Sequence, residues 1–247
     1  MILKENERID DLEYKNLKII QNKEGFCFGI DSVIISDFAK DIKNNSMGAD
    51  LGTGTGIISI LLSAKTKLKK IYGIEIQSDV ADMAKRSVKL NSLEERIEII
   101  NSNIKNIENS ISRESLDFIV TNPPYKKLET GKINENKYKV ISRHEHSANL
   151  EDFIKITKFL LKDKGALYMV HRPERLADII ELMRKYKIEP KKIRFVHSNI
   201  NKEVNLVLVK AIKNAKPFLK IEKPLIIYDE KGQYTDEIYE IYNKERK

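Results

Sequence analysis

The sequence predicts an α/β fold: a doubly wound sheet of about seven strands, mostly parallel, with an antiparallel hairpin at one edge. Three observations carry this. From Met47 to Tyr186, short apolar and β-branched runs alternate with stretches of helical periodicity, the pattern of parallel strands joined by crossover helices. Further on, Lys192 to Ser198 and Val204 to Ile212 are β-rich and separated only by Asn199-Ile200-Asn201-Lys202, a spacing that pairs them as the edge hairpin. The first 46 residues read differently, as a β-hairpin and a helix. The expected layout is therefore an extension over 1–46 packed on a main domain over 47–247, the two forming a single structural unit.

Each element has its own signal. Residues 1–24 alternate apolar and polar groups around Tyr14-Lys15-Asn16-Leu17, which predicts the short hairpin. Ile30 to Phe38 has helical spacing, with Asp31 or Ser32 placed to cap its start. Met47-Gly48-Ala49-Asp50-Leu51 is a short buried strand, and Ile57 to Leu62 continues as a mostly buried helix. Lys70 to Glu75 is the next strand. Asp79 to Asn91 is a helix with Val80, Met83, Ala84 and Val88 on one face. Ile97 to Ile100 is a strand, Ile104 to Ile111 a weak helix, and Leu116 to Thr121 a strand. Leu150 to Leu161 is amphipathic, Gly165 to Val170 extended, and Arg172 to Tyr186 helical with Pro173 suited to its first turn.

Composition narrows the function classes. The chain has 247 residues, 41% hydrophobic and 33% charged, with a mean hydropathy of −0.44. No window approaches the roughly 18 uninterrupted apolar residues of a membrane span, and Met1 to Arg8 lacks the apolar core of a signal peptide. A single cysteine, Cys27, excludes an internal disulfide framework and any cysteine-based zinc cluster. These totals point to a cytoplasmic protein with no membrane partner and no metal. They leave the oligomeric state open, with a monomer the working expectation. The 45 basic residues exceed the 37 acidic ones by eight, which favours a polyanionic partner. Arg184, Lys185, Lys187, Lys191, Lys192 and Arg194 lie together against one acid, Glu189; a second basic run follows Tyr125.

Two turns carry chemistry. Gly52-Thr53-Gly54-Thr55-Gly56 follows a strand and opens a helix, so its backbone N–H groups and the helix start favour a negatively charged group nearby. Gly-Lys-Ser/Thr is missing, which excludes a phosphate-binding loop, and Ile57 breaks the dinucleotide G-x-G-x-x-G pattern. Glu75 ends the next strand, 21 residues after Gly54, where a carboxylate can take both hydroxyls of a ribose. The second turn is Asn122-Pro123-Pro124-Tyr125. Each proline fixes its own φ and pushes its predecessor toward extended geometry. An amide, bare carbonyls and an aromatic ring are thereby held in fixed positions, suited to gripping a planar group that carries an amine.

Asp50 with Gly52, Gly54, Gly56 and Glu75 resembles the motifs of class I methyltransferases, which bind S-adenosylmethionine on a Rossmann-like sheet. The resemblance implies that Asp50 lies near the methionine moiety and Glu75 takes the ribose. The acid that usually contacts the adenine amine is replaced here by Asn103, which can still accept that hydrogen bond. With Asn122-Pro-Pro-Tyr125 the chain resembles the amino-methyltransferases. Asn122 and the Pro123 carbonyl would then orient the target amine, Tyr125 would stack on its planar group beside Pro124, and Asn122 would border the cofactor. Phe26 to Phe38, Arg143-His144-Glu145 and Leu225 to Asp229 extend the resemblance to the bacterial family that methylates the adenine N6 amine 3′ to the valine-tRNA anticodon. It implies that Phe28 and Asp31 close over the cofactor and that Arg143 and His144 serve the target pocket. Lys191, Lys192 and Arg194 would hold RNA, expected to be tRNA. The alternatives are a release-factor glutamine methyltransferase, an rRNA guanine methyltransferase and a non-catalytic RNA-binding protein.

Overall fold

The computed structural model describes residues 3–23, 29–125 and 148–246. The elements run β1 (Glu7–Asp11), β2 (Lys18–Asn22), α1 (Ile30–Phe38), β3 (Met47–Leu51), α2 (Ile57–Lys65), β4 (Lys70–Glu75), α3 (Ser78–Leu90) and β5 (Ile97–Asn101). A 3-10 turn (Ile104–Asn109) leads to β6 (Leu116–Thr121), α4 (Leu150–Leu160) and β7 (Leu161–His171). A second 3-10 turn (Pro173–Arg175) opens α5 (Leu176–Lys185), followed by β8 (Ile188–Asn199), β9 (Val204–Lys213), β10 (Lys220–Ile221), β11 (Leu225–Tyr228) and α6 (Asp236–Ile241).

One sheet of nine strands among the described residues organises the chain, in the order β10-β8-β9-β7-β6-β3-β4-β5 with β11 also on β8. β3 to β7 are mutually parallel, and β9 runs antiparallel to both neighbours. The chain winds outward from β3 through β4 to β5, then returns to β6 on the other side of β3. That reversal places a crevice between the carboxyl ends of β3 and β6. Alternate side chains along each strand feed two cores. Phe118 and Val120 pack beneath α1, α2, α3 and α6, while Leu116 and Ile119 pack beneath α4 and α5.

The β8–β9 hairpin forms as the sequence predicts but is not the sheet edge. β10 and β11 each add in parallel to β8; β10 is two residues long, too short to leave a periodic signal. The N-terminal hairpin forms a separate β1–β2 ribbon and docks on α3. Arg86 holds Glu7 through both guanidinium ends, at 2.7 and 2.5 Å, and the Ile20 N–H donates to Ser87 Oγ at 2.9 Å. Among the described residues no helix is long and apolar enough to cross a membrane.

Gly48 shows how tightly the two central strands meet. It pairs with Phe118 across β3 and β6, and a Cβ on Gly48 would lie 2.3 Å from Phe118 Cζ. The ring is buried, and three of its carbons would lie within 2.5 Å of that Cβ. Gly48→Ala is expected to destabilise the fold by about 1–3 kcal/mol, as overpacking of a filled core does. Chemical denaturation reads this directly, and an unchanged midpoint would mean that the Phe118 ring has room to move.

Candidate active site

The glycine turn leaves β3 at the crevice. Gly52, Gly54 and Gly56 all have positive φ (75°, 58° and 93°), and the N–H groups of Gly52 and Thr53 both donate to the Ile74 carbonyl at 2.9 Å. A Cβ on Gly54 would meet nothing within 4 Å, so the backbone there is bare toward the cleft. Glu75 stands opposite, at the end of β4. Its carboxylate accepts the Gly54 N–H at 3.1 Å and the Gln77 N–H at 2.8 Å. Each oxygen keeps a lone pair for a further donor.

Asp50 lies beneath this turn, fully buried. One oxygen accepts the Thr53 hydroxyl at 2.6 Å and the Ser59 hydroxyl at 3.1 Å; the other has no partner among the described residues. Burial pushes its carboxyl up to about 6, against the pull of those two hydroxyls, and the Glu75 charge adds to the rise. The aspartate therefore braces the turn from below.

The Asn122-Pro-Pro-Tyr125 turn leaves β6 beside it. Thr121 anchors the strand end by donating its hydroxyl to the Leu51 carbonyl at 2.8 Å. The Tyr125 hydroxyl donates to Asp31 on α1 at 2.7 Å. Its ring lies 5.2 Å from that of His171, and the Arg172 guanidinium sits over it at 5.1 Å. Burial, then the facing Asp31 carboxylate, raises the Tyr125 phenol far above its ordinary value; Arg172 and the nearby Asn122 amide offset part of that rise. His171 is also buried. The Arg172 N–H donates to its Nδ1 at 2.8 Å, which assigns the ring proton to Nε2. Burial, with the Arg175 and Arg172 charges beside it, pushes the imidazole down to about 4. Both rings are neutral at physiological pH.

The two turns open on one cleft of about 930 Å³, large enough for a cofactor and a planar substrate group together. Its lining runs from Gly52, Gly54 and Glu75 through Ile76, Val80 and Met83 to Asn103, then across to Asn122, Tyr125 and Arg172. The methyltransferase small domain family model matches residues 30–196. The chain belongs to this family.

The relatives of this methyltransferase are consistent over most of their length. A Porphyromonas gingivalis (strain ATCC 33277) protein named tRNA1(Val) (adenine(37)-N6)-methyltransferase is 26% identical, over 92% of this chain and 91% of that one. Proteins with the same name from Flavobacterium johnsoniae and Haemophilus influenzae (strain PittEE) are 23% and 24% identical, over 93% and 92% of this chain and 96% and 94% of theirs. Among solved structures, a predicted O-methyltransferase from Agrobacterium tumefaciens superposes with a TM-score of 0.69 at 21% identity, covering 86% of this chain and 95% of that one. M. jannaschii TYW2 in complex with AdoMet gives 0.59 at 17% identity, covering 86% and 88%. These structures share the Rossmann-like fold.

The methyltransferase cleft gathers most, though not all, of the residues singled out from sequence. Asp31, Gly52, Gly54, Glu75, Asn103, Asn122, Pro123, Pro124 and Tyr125 line it. Gly56 sits behind, where α2 begins, and a Cβ there would lie 3.5 Å from Ala84 Cβ on α3. Asp31 does not cap α1: Gly29 occupies the cap with no side-chain bond, and the Asp31 carboxylate serves Tyr125 instead. The Asn103 side chain accepts from Lys105 N–H, capping the 3-10 turn that replaces the expected helix. Lys191, Lys192 and Arg194 are not brought to the cleft. Lys192 is level with Asp50 in the sheet but four strands away, on the order of 19 Å. These three side chains bond the Lys216 carbonyl, Glu222, and the Lys223 carbonyl with Glu237. Phe28, Arg143 and His144 lie outside the described residues. His171, Arg172 and Ile76, which is 45% exposed, join the site without having been singled out.

Asp50 makes the stability of this methyltransferase pH-dependent. Its folded value is raised from 3.8 to about 6, so the native state holds a proton that the unfolded chain has released. That contribution is present below pH 3.8 and is lost as pH rises through 6. Asp50→Asn removes the loss. The melting temperature of the variant relative to the parent is therefore expected to climb between pH 4 and pH 7, and a flat difference would refute the buried charge.

Proposed function

We propose that this methyltransferase uses S-adenosylmethionine to methylate the exocyclic N6 amine of an adenine in tRNA, the base 3′ to the valine anticodon. The observation that carries this reading is the opening of the glycine turn, Glu75 and Asn122-Pro-Pro-Tyr125 onto a single cleft. Curated relatives named for that reaction, aligned over more than nine-tenths of the chain, support tRNA as the RNA. The net charge of +8 supports a polyanionic substrate.

The residues present fit the cofactor. Bare backbone at Gly54 permits close approach, Glu75 retains acceptor capacity for a ribose, and Ile76, Val80 and Met83 give a purine an apolar wall. The Asn103 amide borders the adenine end, and Asp31 the other end of the cleft. Bound there, S-adenosylmethionine supplies a methyl group made electrophilic by its sulfonium.

The chain's own task is to make a poor nucleophile reactive. The lone pair of an adenine amine is delocalised into the ring. The Asn122 oxygen and the Pro123 carbonyl accept one N–H each, drawing the nitrogen toward tetrahedral geometry and directing its lone pair at the methyl carbon. Orientation and fixed dipoles supply the acceleration. As the new N–C bond forms and the methyl carbon's bond to sulfur breaks, the nitrogen becomes cationic and strongly acidic, so its surplus proton passes to water without a dedicated base. Neither Tyr125, whose phenol keeps its proton, nor His171, a weak buried base, is set to take it. A stacked target base must flip out to reach this cleft, where Tyr125 offers an aromatic face and Pro124 a rigid rim. Lys191, Lys192 and Arg194 are assigned to the tRNA body outside the cleft.

The test incubates the protein with labelled S-adenosylmethionine and separate pools of tRNA, rRNA, DNA and release factor. Label is expected in tRNA, as N6-methyladenine on nucleoside digestion. Label in release factor alone, or in no pool, overturns the reading.

A further inference from the structure

Among the described residues Arg172 is the one basic side chain lining the cleft, and its setting is unusual. It stands where β7 ends, at the same carboxyl edge as the Asn122 turn. Its guanidinium carbon lies over Tyr125, 5.1 Å from the ring centroid. NH1 donates to the Asn205 carbonyl at 3.1 Å and to the Asn205 side-chain oxygen. Neighbouring basic groups are held otherwise. Arg175 pairs with Asp178 at 2.6 Å, Arg194 with Glu237 at 2.7 Å, and Lys105 with Asp152 at 3.2 Å. Arg172 has no carboxylate partner among the described residues. Neutral oxygens and an aromatic face fix its orientation without cancelling its charge.

The charge of the cleft is divided accordingly. Glu75 and Asp79 line it beside the glycine turn, while Arg172 stands at the target turn, where Asp31 is engaged by the Tyr125 hydroxyl. A cationic methyl donor suits the first part and an anionic substrate the second. We propose that Arg172 binds the phosphodiester adjoining the target adenine. NH1 is already anchored, so the rest of the guanidinium fork is left to donate to the phosphate oxygens. With the guanidinium fixed against Tyr125, one rigid unit positions both the base, through the ring, and its backbone. This assignment rests on the tRNA reading above and goes beyond it, because it names the phosphate contact that holds the flipped nucleotide.

The experiment measures binding of an anticodon stem–loop with adenine 3′ to the anticodon. Its linkages on either side of that adenine are replaced one at a time by neutral methylphosphonates. Arg172→Ala is expected to weaken binding of the unmodified loop about tenfold and to lower the slope of log affinity against log salt by about one. One neutral linkage should cost the parent protein the same about tenfold and cost Arg172→Ala nothing further, the signature of a single lost contact. Arg172→Lys should keep the salt slope while losing affinity. Additive losses, or an unchanged slope in Arg172→Ala, overturn the assignment while leaving the tRNA reading intact. No binding of any loop by the parent protein overturns both. Calorimetry with S-adenosylmethionine checks that each variant is folded. If Arg172→Ala fails that check, Arg172→Lys against the methylphosphonate series decides the matter, since a lysine that no longer senses the linkage also refutes it.

Discussion

Asn122→Ala is expected to lower the turnover of methyl transfer by on the order of 100-fold or more, the range seen when one preorganised polar contact to a reacting group is lost. The affinity for S-adenosylmethionine should stay within a few fold. The reason is positional. Asn122 follows directly on Thr121, which is tied to the Leu51 carbonyl of β3. The two prolines that follow it stiffen the turn, and the Tyr125–Asp31 bond fixes its far end. The amide therefore reaches the amine at a fixed place, and no neighbouring group can substitute for it. Glu75, the Gly54 backbone and Ile76, which line the other side of the cleft, belong to β4 and the loops after β3 and β4, so they survive the truncation. Asn122→Asp keeps an acceptor at the same point and should recover part of the lost rate. Single-turnover kinetics separates the chemical step from binding. Survival of turnover in Asn122→Ala would mean that the amine is activated some other way.

What the sequence made legible follows from how local each feature is. The glycine turn, Glu75 and the Asn122 turn are each written in five or fewer consecutive residues, and the parallel character of the central sheet follows from strand and helix alternation. Contacts between distant segments were not legible. Asp31 sits at a sequence position suited to capping, yet its carboxylate is taken by Tyr125, 94 residues away. His171 and Arg172 reach the site only because β7 pairs with β6, and nothing in the local sequence announces that neighbour. β7 itself starts at Leu161 rather than Gly165, because the polar Lys162-Asp163-Lys164, which carries no strand pattern, is absorbed at an irregularity in the β6 pairing, with Lys164 at φ 59°. Likewise Lys191, Lys192 and Arg194 look like a free basic cluster, but each finds its partner in the segments after β9.

The depth of Asp50 sharpens what the acidic positions do. An aspartate just ahead of a glycine turn invites assignment to the ligand, yet here its carboxylate holds Thr53 and Ser59 from below. Gly73, beneath the same Thr53, leaves no space for a side chain: its Cβ would lie 3.0 Å from Thr53 and 2.7 Å from Ile99. The turn is thus clamped by Asp50 from one strand and by the bare backbone of β4 from the next. Its N–H groups are committed to holding that shape: Gly52 and Thr53 donate to the Ile74 carbonyl, Gly54 to Glu75 and Gly56 to the Thr53 carbonyl.

Glu75→Ala should raise the dissociation constant for S-adenosylmethionine by about 100-fold, the counterpart of Asn122→Ala on the opposite side of the cleft. Two losses combine. The carboxylate no longer receives a ribose, a charge-assisted contact worth about 1.5–3 kcal/mol. The N–H groups of Gly54 and Gln77 also lose the acceptor that now orders them, so the turn is less preorganised before the cofactor arrives. Glu75→Gln separates the two. Its amide oxygen can still accept one of those N–H groups, so the turn should stay partly ordered while the charge-assisted ribose contact disappears, leaving an affinity between parent and Glu75→Ala. Calorimetric titration gives all three constants. Equal affinities for Glu75→Gln and the parent would show that the carboxylate acts only as a backbone acceptor, and that the ribose is held elsewhere.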